Sequence, residues 1–264
     1  MATPRSDAPE TAPFYDEGHG YDVFGLRPAT LARAVRAGRA LYDTYFRIES
    51  RGIEQVPGSG PTILVANHGG ILPMDAAMLC LDVLMRAQPR RIPRALADHF
   101  VASLPIVSTL FARLGVVMGT RGNARRLLER GELLAIWPEG VSGPAKRFRD
   151  RYELQTWRVG FAELAIRYRA KVVPVAVVGA EESWPLAAKL RGIHAFHIPY
   201  IPIPATPLPL PTRYHIRYGA PMTLGRVADD ADDPDLVASA ALDVRIALED
   251  LIADALRERT GVWR

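Results

Sequence analysis

Short apolar runs alternating with segments of helical spacing constrain this chain most. Residues 62–66 read TILVA, 115–118 GVVM, 133–137 LLAIW and 171–178 KVVPVAVV. Such runs suit strands buried on both faces, because a strand with one wet face would alternate with polar residues. Between them, residues 74–85, 105–114, 123–130 and 155–168 carry apolar side chains at helical intervals, and Gly131 suits the position just past a helix end. Residues 94–97 and 214–218 add further strands, and 45–53 alternate like one. The order predicts an α/β fold with a mostly parallel central sheet flanked by helices. Pro174 inside the last long run predicts an edge strand or a bulge. Amphipathic helices are expected near both ends, over 28–45 and 234–259. The chain divides into a flexible lead-in at 1–20, one domain at 21–225, and a C-terminal helix at 226–264 packed on or beside that domain.

Composition narrows the setting. One cysteine, Cys80, excludes an intramolecular disulfide and a cysteine zinc cage. The polar start lacks the apolar core of a signal peptide, and no window approaches eighteen uninterrupted apolar residues. A cytoplasmic protein without a spanning helix is expected. Arg86, Arg90, Arg91, Arg94, Arg113, Arg121, Arg125, Arg126 and Arg130 make the middle of the chain basic, opposed only by Asp82, Asp98 and Glu129. That bias predicts an anionic partner such as a phosphate, a nucleotide carrier or an acidic membrane surface. Nucleic acid is not expected, because no known module pattern appears and aromatics do not alternate with the basic residues. The helix at 31–45 and the proline-rich apolar stretch at 198–211 are the expected membrane contacts.

The residues that carry chemistry lie where strands give way to helices, which is where open α/β sheets bind ligands. Asn67-His68-Gly69-Gly70-Ile71-Leu72-Pro73-Met74-Asp75 follows the first buried run. A histidine there takes a proton near neutral pH, and a carboxylate on its other nitrogen fixes the tautomer. Asp75 is the candidate partner. Trp137-Pro138-Glu139-Gly140 follows another buried run and offers a carboxylate and a turn. Gly119-Thr120-Arg121-Gly122-Asn123 precedes a helix, a suitable anion site.

These blocks, in this order, resemble the lysophospholipid acyltransferase superfamily, which includes bacterial 1-acylglycerol-3-phosphate acyltransferase. The family motifs are Asn-His-x-x-x-x-Asp, a Gly-x-x-Arg-like loop, Phe-Pro-Glu-Gly-Thr-Arg, and an apolar strand with a central proline. They correspond here to Asn67, His68 and Asp75, to 119–121, to 137–140, and to 172–178 around Pro174. The resemblance covers roughly residues 47–221. It implies a glycerolipid acyltransferase-like domain at 21–225 that moves a fatty acyl group from acyl-CoA or acyl-carrier protein to a lipid hydroxyl. His68 would be the base and Asp75 its partner. Asn67, Gly119, Arg121, Glu139 and Gly140 would serve substrate binding. The thioester donor is a co-substrate, and neither metal nor other cofactor is implied. Peripheral attachment to the inner face of the cell membrane follows.

The chain departs from the family pattern twice. Six residues separate His68 from Asp75 where the family has four. Val141 and Ser142 stand where the family has Thr-Arg, whose arginine holds an acceptor phosphate. Lys146 or Arg147 is the expected substitute, and a neutral acceptor such as diacylglycerol stays open. So does a non-catalytic lipid-binding role. Pro144 spoils a Gly-x-Ser-x-Gly nucleophile elbow around Ser142, His194 and His197 lack a third metal ligand nearby, and Gly58-Ser59-Gly60 lacks the third glycine of a dinucleotide fingerprint.

Overall fold

The computed structural model describes residues 18–70, 72–190 and 201–263. Most of the lead-in, Ile71 and the pair His194 and His197 lie outside these residues. The elements run α1 (Pro28–Ala40), β1 (Glu49–Arg51), β2 (Thr62–Ala66), α2 (Met74–Arg86), β3 (Pro93–Ala97), α3 (Val107–Arg113), β4 (Val117–Met118), α4 (Arg121–Glu129), β5 (Leu133–Ile136), α5 (Gly160–Arg167), β6 (Lys171–Val178), α6 (Ala180–Ser183), β7 (Leu186–Leu190), β8 (Ile201–Pro204), β9 (His215–Tyr218), β10 (Met222–Thr223) and α7 (Pro234–Glu258).

The main sheet is ordered β1-β9-β6-β2-β5-β3-β4, with β10 also on β6. β6, β2, β5, β3 and β4 are mutually parallel, and β9 and β10 run antiparallel to β6. Every residue of β2 is buried. Its side chains alternate between two cores, as a pleated strand requires. Leu64 and Ala66 join Tyr42, Phe46, Leu79 and Val83 on the α2 face. Ile63 and Val65 join Leu127, Phe161, Ile166 and Val244 on the face covered by α4, α5 and α7. Helices on both faces explain why these strands read as unbroken apolar runs.

Pro174 is central, not at an edge. It pairs opposite Val65 in the β2–β6 ladder. On the other side of β6, β10 takes residues 171–172 and β9 takes 175–178, so Pro174 falls where that ladder is interrupted. A missing N–H is tolerated at such a gap. Its carbonyl accepts from Gly219 N at 2.9 Å.

Other expectations were too long. The 45–53 strand shrinks to β1, because a π turn over Leu41–Tyr45 and positive φ at Arg47 interrupt it. The first helix is not a free membrane contact. Leu31 and Tyr42 are buried, and Val35 and Tyr45 pack on the core. Residues 198–200 of the proline-rich stretch lie outside the described residues; the rest contributes β8, which among the described residues pairs only with β7, where prolines remove no second ladder.

The basic run is not one surface. Arg94 is 1% exposed and bridges Asp22 at 2.7 Å and Glu132 at 3.3 Å. Arg91 is buried and donates to four oxygens, the carbonyls of Pro57, Gly60 and Gly131 and the hydroxyl of Thr62. These two cations tie turns together. A second buried junction forms at Asp82, which accepts from the Tyr42, Ser50 and Tyr218 hydroxyls at 2.5, 2.7 and 2.7 Å. No helix among the described residues is long and apolar enough to cross a membrane.

Candidate active site

The site forms where β2, β5 and β6 end side by side. β2 ends at Ala66, and the next residue extends the sheet through its side chain. Asn67 donates to Val177 O at 3.0 Å and accepts from Val177 N at 2.8 Å, as a strand backbone would. This fixes the start of the loop that carries His68.

The six-residue spacing does not prevent the pairing. His68 Nδ1 lies 2.6 Å from Asp75 Oδ2, which also accepts from Gly69 N at 3.1 Å. Asp75 opens α2, so the loop needs a sharp return, which Gly70 supplies at φ +87°. Asp75 is fully buried and its other oxygen has no partner among the described residues. An ionised carboxylate only accepts, so Nδ1 carries the hydrogen and Nε2 keeps its lone pair. The histidine side chain is 16% exposed. Burial pulls its pKa down, but the charge and hydrogen bond of Asp75, with Glu139 nearby, outweigh burial and raise it.

Glu139 acts from behind. It is 3% exposed and accepts from His68 N at 3.0 Å and from Gln155 N at 2.9 Å. Gly143, in the loop after it, packs against the histidine so closely that a Cβ would lie 2.7 Å from His68 O. The use of Gln155 N, and of Arg158 N by Pro138 O, explains why α5 starts only at Gly160. Lys146 points inward, to Glu139 at 3.3 Å and Glu181 at 2.8 Å. Burial pushes the Glu181 carboxyl up to about 7 against the pull of Lys146. Three residues expected to bind substrate, Asn67, Glu139 and Lys146, therefore have inward partners, because each is buried at a junction between elements.

The remaining candidates lie outward. Arg147 is exposed and pairs with Asp150 at 2.7 Å. Gly119 donates to Ala97 O, and Thr120 caps α4 through Asn123 N. Arg121 is 81% exposed and pairs with Glu163 at 2.8 Å. Gly140 has positive φ and lies under the Arg158 guanidinium. Sequence reasoning passed over Arg158 and Glu181. Neither sits in a motif, and only the fold brings them to the Glu139 loop. A small recess of about 10 Å³, room for one water-sized guest, lies among Gly70, Gly143, Lys146 and Glu181.

A family model described as Acyltransferase matches residues 47–178, half the chain, and spans every residue placed at this site except Glu181. The chain belongs to the acyltransferase family. This acyltransferase is 35% identical over 257 residues to an uncharacterized protein of Mycobacterium tuberculosis strain H37Rv, a match covering 93% of this chain and 72% of the relative. It is 29% identical over 218 residues to the chicken (Gallus gallus) protein named "DGAT1/2-independent enzyme synthesizing storage lipids", covering 79% of this chain and 61% of the relative. Its fold is similar to the crystal structure of the 1-acyl-sn-glycerophosphate acyltransferase PlsC from Thermotoga maritima. That match has a TM-score of 0.59 at 17% identity, over 88% of this chain and 81% of the other. The acyltransferase thus has a mixed, mostly parallel sheet of the PlsC type.

Proposed function

We propose that this acyltransferase moves a fatty acyl group from a thioester donor, acyl-CoA or acyl-carrier protein, onto a hydroxyl of a lysophospholipid or glycerolipid at the inner face of the cell membrane. The His68–Asp75 contact at 2.6 Å, with Nε2 left as a free base, carries the reading. Nε2 takes the proton of the acceptor hydroxyl as its oxygen attacks the thioester carbonyl. A backbone amide or bound water stabilises the tetrahedral oxyanion. The carbon–sulfur bond then breaks, and the leaving thiolate takes the proton from His68. The scheme needs no acyl-enzyme and no metal. A screen of lysophospholipid, glycerolipid and sterol acceptors with a labelled acyl thioester tests it. Hydrolysis alone, or binding without transfer, would sink it.

Asp75→Asn should lower turnover by roughly a hundredfold by analogy with other oriented histidines. The sign of the accompanying pH effect follows from the raised His68 pKa. Rate rises with pH as the imidazole loses its proton. Removing the Asp75 charge lowers that pKa, so the acid limb should move to lower pH. An unmoved acid limb would show that another group orients the histidine.

A neutral acceptor is the second reading. It is favoured by Val141 and Ser142 in place of Thr-Arg and by Lys146 being held on two carboxylates. Arg121 is the exposed cation proposed to hold an anionic substrate group. A charged hydrogen bond contributes about 1.5–3 kcal/mol, so Arg121→Ala should weaken binding by roughly ten- to a hundredfold. A higher KM for a phosphorylated acceptor would assign the arginine to that phosphate. A higher KM for the thioester alone would assign it to the carrier and favour a neutral acceptor. No change in either would move the anion site to Arg147.

A further inference from the structure

The segment joining β3 to β4 has a composition that its burial does not explain. From Phe100 to Ala112 it carries no charged residue and reads FVASLPIVSTLFA. Yet none of residues 96–114 is buried. Ile106 is 83% exposed, Leu110 48% and Val107 37%. Ile106 holds φ +65°, in a turn closed by Val107 N donating to Pro105 O at 2.6 Å. A β-branched residue there is strained. Leu114, at the end of the helix, packs on the cluster of Leu26, Leu31 and Ile92, but the helix's leading turn has no such cover. An apolar turn so exposed, tipped by a strained isoleucine, calls for a partner.

Its place in the fold says which. β3 is parallel to β5, and β5 to β2, so the segment leaves the sheet at the same end as the His68 and Glu139 loops. Arg158 Nη1 lies 3.3 Å from Asp98 while Arg158 N donates to Pro138 O, which ties the segment's root to the loop of Glu139. The neighbouring loops at this end also expose apolar side chains, Leu72 at 49% and Phe148 at 46%. Arg121 at the start of α4, and Arg147, Arg149 and Arg158 after β5, are exposed at this same end, each ion-paired to Glu163, Asp150 or Asp98. Apolar tips interleaved with arginines match a bilayer, whose phosphates meet guanidinium groups above its acyl chains.

We infer that this end of the sheet, led by Ile106, Val107 and Leu110, seats the protein on a phospholipid bilayer, so that the acceptor hydroxyl reaches His68 without leaving the membrane. The inference rests on the reading of a lipid acceptor. It replaces the helix at 31–45, whose apolar face is in the core, as the membrane contact.

Vesicle sedimentation tests it, using phosphatidylcholine vesicles with and without phosphatidylglycerol. Partition is measured on the His68→Ala background, so it does not depend on turnover. Ile106→Asp with Leu110→Asp should lower partition at least about tenfold, since inserted apolar area sets such binding. The melting temperature should hold, because neither side chain is buried. Leu242→Asp, at an exposed leucine on α7, should change nothing. If the double variant folds poorly, Ile106→Trp gives a second measurement, and the fluorescence of the introduced indole should be quenched by brominated lipid. The inference is overturned if the parent binds no vesicle, if the double variant partitions like its parent, or if brominated lipid leaves the Ile106→Trp fluorescence unquenched. A parent dimer dispersed by the double variant would also overturn it, making this face a contact between copies. If vesicles bind as expected but no lipid acceptor is acylated, the docking face stands and the proposed reaction falls.

Discussion

His68→Ala is expected to lower acyl transfer by about 10³–10⁴-fold, the upper part of the range for a general base. The variant should leave KM for the donor nearly unchanged, since the ring's neighbours Asp75 and Trp137 are protein groups. One structural side effect accompanies it. Among the described residues Asp75 would keep only the Gly69 N–H as partner, an under-satisfied buried carboxylate costing about 1–3 kcal/mol. His68→Gln, whose amide can still donate to Asp75, separates the two effects. It should be as inactive as alanine and closer to wild type in melting temperature. Residual turnover within tenfold of wild type in either variant would remove His68 from the reaction.

Lys146→Met is expected to give the largest loss of stability, about 3–5 kcal/mol, because it leaves two buried carboxylates without their cation. Lys146, Glu139 and Glu181 have side chains 3%, 0% and 5% exposed, so solvent screening offers little relief. The loss should depend on pH. In the wild type the folded-state pKa of Glu181 is raised to about 7 from an ordinary 4.5. A carboxyl so raised contributes stability that is fully present below pH 4.5 and is lost as pH rises through about 7. Without Lys146 that pKa climbs further. The variant's deficit in urea unfolding should therefore be larger at about pH 8 than at about pH 5.5. A deficit that is flat in pH, or smaller on the alkaline side, would show that these carboxylates do not set it. Turnover should fall with stability, because Glu139 holds the His68 backbone.

The sequence was most legible where burial is most uniform. The runs that became β2, β5 and β6 stand between two helix layers, and a strand buried on both faces leaves an unbroken apolar signature. The His68–Asp75 pair was legible because both residues belong to one local motif. What the sequence hid depends on distant chain segments meeting. Asn67 finds Val177, Lys146 finds Glu181, and Asp82 collects hydroxyls from Tyr42, Ser50 and Tyr218. A buried lysine has the same letter as a solvated one. The same ambiguity concealed Arg91 and Arg94 inside a run that reads as a basic surface. The segment at 105–114 reads as an ordinary helix because its periodicity is ordinary. Only its lack of a buried face distinguishes it.

The double hydrogen bond between Asn67 and Val177 has a consequence for how the His68 ring moves. A histidine on a free loop would wander on the nanosecond scale and would have to be collected into register before each encounter with substrate. Here the residue before it is stitched to the middle of the sheet, and the sheet's stiffness extends to within one residue of the imidazole. The ring's positional freedom is therefore surrendered once, when the chain folds. In the proposed reaction, what remains to be ordered in each cycle is the substrate.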